Sequence, residues 1–166
     1  MKIKSAIISL ISTITLICLL ALPQTGCQTG GGGTNPPVVI DPVKAAKIVG
    51  DAAQLGTYSA VVLNEGLKPY FVATAAAIQA LIDSGDYDPD HISEVLDGLN
   101  ISAEIKAKIQ LGIASGLQIY RTFFSDIVNG GLDKTIYAKP ILQALVNGIN
   151  AGTDITATAA KYSLRR

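Results

Sequence analysis

Asp86, Asp88, Asp90 and Asp97 stand at the first, third, fifth and twelfth places of one short segment, DYDPDHISEVLD. Carboxylate oxygens at those places are what a hard cation such as calcium requires. The residues between them point elsewhere. His91 takes the sixth place, where glycine permits the sharp turn of a calcium loop, Pro89 stiffens the approach, and Asp97 replaces the longer, bidentate glutamate. Asp88-Pro89 has the form of a helix cap followed by proline at the first helical position, and Asp90 and Glu94 suit the positive end of that helix. The segment is therefore read as a helix start. Asp86, Asp88, Asp90 and Asp97 are the residues that would hold calcium if the loop reading prevailed; no metal or cofactor is expected.

His91 is the single histidine of the chain, so no second imidazole joins it in a zinc site. A serine–histidine–aspartate arrangement needs no adjacency in sequence, but no nucleophile-elbow motif accompanies His91. The only glycine run, in QTGGGGTNPP (residues 28–37), does not sit on a strand-to-helix turn that would cradle phosphate. Tryptophan is absent and aromatics make up 5% of the chain, too few for an extended stacking platform. The densest aromatic group is Tyr120, Phe123 and Phe124, spaced for one face of a long helix. Such groups are usually core; any exposed part would be the anchor for a partner. The chain is read as noncatalytic.

The remaining reactive side chains are two cysteines, Cys18 and Cys27, and both lie near the N-terminus. Lys2 and Lys4 precede an uncharged apolar stretch of 17 residues, Ala6 to Leu22, short for a span of ~20 residues and suited to a signal peptide. Thr25-Gly26-Cys27 resembles the lipobox of bacterial prolipoproteins, with Gln24 where that pattern has Leu. The resemblance covers residues 1–27. It implies cleavage before Cys27 and attachment of diacylglycerol to its sulfur, the chain's available thiolate nucleophile. Cys18 is preceded by bulky Ile17 and does not fit. Leu22-Pro23-Gln24-Thr25-Gly26 also spells a wall-sorting motif, but there the apolar stretch follows the motif, and here it precedes. Gln28 after the cysteine implies the outer membrane if the host is Gram-negative.

With Lys2 and Lys4 removed, 13 acidic residues face 11 basic ones, a formal charge of −2. A broad nucleic-acid footprint is not there, and the basic cluster Lys161, Arg165 and Arg166 reads as a solvated chain end. Three parts follow: a signal peptide (1–26), the lipidated cysteine with a Gly- and Pro-rich tether (27–40), and a domain (41–166).

That domain is expected to be all-α, a small bundle of about five helices. The first opens at Asp41-Pro42, buries Ala45, Ile48, Ala52, Leu55 and Val62, turns Lys44, Lys47, Asp51 and Gln54 to solvent, and ends near Gly66 in a left-handed cap. The second opens at Pro69, runs through an apolar body from Tyr70 to Ile82 that reads as a buried core helix, and stops at Ser84-Gly85. The third runs from Asp88-Pro89 to about Gly98. Asn100 or Ser102 caps a long fourth, with Ile105, Ile109, Ile113, Leu117, Tyr120, Phe124 and Ile127 inside and Gly130-Gly131 as its stop. The fifth starts or kinks at Pro140, and residues 155–164 add at most a frayed turn. Gly112-x-x-x-Gly116 lets another helix approach closely, and a crossing within the chain is preferred to a dimer face.

The function expected is a noncatalytic interaction or structural module at the bacterial envelope, held by lipid on Cys27 and contacting another envelope protein or the wall. One alternative is a phage- or prophage-encoded lipoprotein acting in exclusion or lysis, since Leu55-Gly56-Thr57 and the Ser84-Gly85 turn resemble small helical phage proteins. A third is an envelope hydrolase.

Overall fold

The computed structural model describes residues 39–163. Cys27, the segment before it, the tether as far as residue 38, and Arg165 and Arg166 lie outside them. The described residues form an all-α bundle of six helices: α1 (Pro42–Leu63), α2 (Lys68–Ser84), α3 (Pro89–Gly98), α4 (Ala103–Asn129), α5 (Lys134–Gly152) and α6 (Ile155–Ser163).

The starts follow local chemistry. Asp41, Asp88, Ser102 and Asp133 each accept a backbone N–H of the first turn of α1, α3, α4 and α5, satisfying donors that the helix leaves free. Asp154 does the same for α6 through the N–H of Ala157 at 3.0 Å. The stops at Gly85 and Gly131 need glycine, because φ is +82° and +64° there and a side chain disfavours that conformation.

Three boundaries differ from expectation. α1 ends at Leu63 rather than at a left-handed Gly66, because Asn64 turns extended and its side chain accepts the Gly66 N–H at 3.1 Å. That contact starts a 3-10 turn, Glu65–Leu67, which leads directly into α2. α5 begins at Lys134, after the Asp133 cap and six residues before Pro140, so Pro140 lies inside the helix. Proline there removes the donor to the carbonyl of residue 136, and Ile136 and Pro140 are both exposed, where water can serve that carbonyl. α6 is a helix of nine residues rather than a frayed turn, and it is held by Thr158, whose side chain is buried.

Packing is organised around α1. Gly56 meets Gly112 and Ala53 meets Gly116, so α1 runs antiparallel to α4. Gly50 meets Ala144 and Gly148, while Gln54 and Thr57 meet Gly152, so α1 runs parallel to α5. The glycine pair of α4 is matched by Gly148-x-x-x-Gly152 in α5. The close approach that Gly112 and Gly116 permit is made within the chain.

This packing sets the rotation of α1, and the rotation differs from the one that apolar periodicity predicts. Ala45, Val49, Ala53, Thr57 and Val61 are inside, one every four residues, together with Gln54. Ile48, Leu55 and Val62 are outside, 50, 45 and 52% exposed. The reason is steric: backbones that touch at glycine gain dispersion along the whole crossing, whereas large aliphatic side chains on that ridge would hold the helices apart. Gln54, expected in solvent, instead donates from Nε2 to Thr158 Oγ1 at 3.1 Å and ties α1 to α6. α2 is also one-sided. Phe71, Thr74, Ala75, Ile78 and Ile82 are buried, whereas Val72, Ala73, Ala76 and Ala80 are exposed; small side chains make an exposed face inexpensive.

Candidate functional site

The turn between α2 and α3, with the α4 face behind it, gathers the residues with the most chemical potential. Tyr120 anchors it from below. Its ring is fully buried and its hydroxyl donates to the Tyr87 carbonyl at 2.5 Å, fixing the turn to α4. Burial pushes the Tyr120 phenol far above its ordinary range, with the Asp88 and Asp86 charges adding to the effect. It acts as a neutral donor.

Asp86 organises the top of the turn. Its Oδ1 accepts the Asp88 N–H at 3.0 Å and its Oδ2 lies 2.6 Å from His91 Nδ1. The Asp88 N–H, then the His91 imidazole, hold the Asp86 carboxyl below its usual value. The hydrogen bond from His91, reinforced by the Asp86 charge, raises the imidazole above its usual value.

The other acidic residues are engaged separately. Asp88 Oδ1 accepts the Asp90 N–H at 2.9 Å, as a cap. Asp90 Oδ1 lies 3.3 Å from Arg121 Nη2, which also donates to Ser93 Oγ at 2.7 Å. Asp97 lies at the far end of α3, its Oδ1 3.5 Å from Gln110 Nε2 and 3.8 Å from Lys106 Nζ. Asp86, Asp88, Asp90 and Asp97 therefore do not converge as a calcium loop would, because helix α3 separates Asp97 from the turn. Among the described residues no group of three or more His, Cys, Asp or Glu side chains could hold a metal ion.

The Asp86–His91 pair has the geometry that orients an imidazole for proton transfer. The two serines nearest in sequence are committed elsewhere: Ser84 Oγ donates to the Leu81 carbonyl and Ser93 Oγ to the Pro89 carbonyl. The pair borders an open hollow of about 430 Å³ with Leu81, Glu94 and Val95. A narrower cleft of about 240 Å³ lies between α3 and α4, with Leu96, Ile113 and Leu117 among its lining and Arg121 at one end. That is smaller than most small-molecule sites, which run from roughly 300 to 1,000 Å³.

Tyr120 and Phe124 are core, 0 and 8% exposed, with ring centroids 5.9 Å apart, and Lys134 Nζ sits 5.2 Å over the Phe124 ring. Phe123 is half-buried against the core. The aromatic group thus faces inward and leaves no exposed ring for a partner at Tyr120 or Phe124. The apolar surface that sequence reasoning missed is on α1, at Ile48, Leu55 and Val62. Its signal was present in the glycines at 50 and 56, which mark the opposite side of the helix as the close-packed one.

No family model matches the chain, and no curated protein or solved structure matches it either.

Proposed function

We propose that the protein is a lipid-anchored module of the bacterial envelope, cleaved before Cys27, tethered through the glycine- and proline-rich segment, and acting by contact rather than by catalysis. The observation that carries this reading is the placement of Thr25-Gly26-Cys27 two residues beyond the apolar stretch Ala6 to Leu22. Three further features support it. The first helix cap, Asp41, follows the Gly- and Pro-rich segment closely, so a folded unit starts where that segment stops. No cysteine occurs after Cys27, which leaves the domain without a thiol to compete for acylation. Among the described residues no helix is long and apolar enough to cross a membrane, and the reading puts attachment at Cys27.

A noncatalytic role agrees with a site whose charged groups are used in caps and pairs. Its partner in this reading is another envelope protein or the wall. Metabolic labelling in a bacterial host tests the anchor: the wild-type chain takes up palmitate, and Cys27→Ser, which keeps the shape but loses the thiolate, takes up none. Labelling that persists in Cys27→Ser would contradict the assignment.

A further inference from the structure

The cleft between α3 and α4 has apolar walls and one charged end. Ser93 and Leu96 line it from α3, and Ile113, Ala114, Leu117 and Arg121 from α4. The α4 residues follow one another at helical spacing, so they form one strip of that helix with Arg121 at its end. Arg121 is only partly used. Its Nη2 donates to Ser93 Oγ at 2.7 Å and lies 3.3 Å from Asp90 Oδ1. Its Nε–H is buried and, among the described residues, has no hydrogen-bond partner, although the side chain as a whole is 38% exposed. A buried donor opposes folding unless a bound group supplies the acceptor.

We propose that the cleft binds a small aliphatic monocarboxylate, its carboxylate on Arg121 and its chain against Leu96, Ile113 and Leu117. Nε–H and an N–H of Nη2 lie along one edge of the planar guanidinium, and such an edge receives the two oxygens of a carboxylate in parallel. Asp90 yields Nη2 readily, because its side chain is 83% exposed and an exposed ion pair is weak. Water is a poorer occupant: it needs about two to four polar partners, and the side chains of Leu96, Ile113 and Leu117 offer none. A phosphate dianion is poorer too, since the Asp90 carboxylate stays beside the same guanidinium. Volume sets the length of the chain. At roughly 30 Å³ for each water-sized group, the 240 Å³ of the cleft holds about eight heavy atoms, the content of hexanoate. The inference goes beyond contact with an envelope partner and does not depend on lipid at Cys27.

Titration of the full chain in nonionic detergent micelles with sodium hexanoate, followed by nitrogen–proton correlation spectra, tests it. The Arg121 Nε–H signal and the backbone signals of Ser93, Ala114 and Leu117 shift and saturate. Hexan-1-ol, which has the same chain without the charge, shifts them far less. Arg121→Gln raises the dissociation constant at least about tenfold. Ala114→Leu keeps the guanidinium but fills the cleft; residue 114 is exposed on α4, so that variant folds as wild type does and loses binding even if Arg121→Gln loosens α3. Shifts that never saturate, or that hexan-1-ol reproduces at equal concentration, overturn the proposal. So does binding that survives Ala114→Leu, or that a well-folded Arg121→Gln leaves unchanged. Inorganic phosphate that saturates the same signals at lower concentration than hexanoate shows a general anion site, and the monocarboxylate assignment is wrong.

Discussion

The carbonyl of Gly112 in α4 occupies the space where Gly56 of α1 would carry a Cβ. Both partners in that contact are backbone, so neither can yield without shifting a helix. The rotation of α1, and with it the exposed face, depends on this crossing.

Gly56→Ala is therefore expected to destabilise the domain by about 3 kcal/mol or more, although alanine is the better helix former. Gly98→Ala is the matched control, since nothing lies within 4 Å of its added Cβ; that variant is neutral or gains up to about 1 kcal/mol. Urea unfolding of both variants against wild type checks the pair. Equal effects at the two positions would mean that the helices do not touch at Gly56.

Thr57 is fully buried beside Gly152, and among the described residues its hydroxyl has no hydrogen-bond partner. A buried polar group without a partner opposes folding, and valine has the same branched shape without the hydroxyl. Thr57→Val is predicted to raise the thermal midpoint, by the equivalent of about 1 kcal/mol. A fall in the midpoint would show that the hydroxyl is satisfied and that the α1–α5 contact is misplaced.

The Asp86–His91 pair makes stability depend on pH in a defined direction. His91 is raised from its ordinary 6.5, so its contribution is complete below 6.5 and fades as pH climbs through the raised value. Asp86 is lowered from its ordinary 3.8, so its contribution is complete above 3.8 and is lost as pH falls through the lowered value. The advantage of wild type over His91→Ala should then be greatest between 3.8 and 6.5 and shrink in alkaline solution. Thermal melts of both proteins from below pH 3.8 to well above 6.5 check it. A difference that does not change with pH would contradict the pairing.

The caps and stops were legible in the sequence wherever one residue type had one local use. Asp41, Asp88 and Ser102 start helices, and Gly85 and Gly131 end them at positive φ. The same was true of the α4 core from Ile109 to Ile127, where large aliphatic and aromatic residues keep a single face. The rotation of α1 is not legible from apolar periodicity, which reflects hydrophobicity and not size: Ile48, Leu55 and Val62 have the larger burial gain, but the glycines on three helices make the small-residue ridge the one that fits. Nothing near Gln54 in the sequence signals its partner Thr158, 104 residues away. Pro140 marked no boundary because the Asp133 cap had already started the helix. At the turn, Asp88 was readable as a cap, whereas the Asp86–His91 contact and the Tyr120 anchor beneath Tyr87 depend on how α4 crosses the turn, which no local pattern encodes.

The mass of the N-terminal peptide from the wild-type protein, recovered from bacterial membranes, bears most directly on the proposed anchor. The peptide should begin at Cys27 and carry the added mass of its acyl chains. More than one chain is expected, since a single chain holds a protein on a membrane only marginally. A peptide that begins at Met1 and carries no acyl mass would show that the chain keeps its apolar segment and is not a lipoprotein.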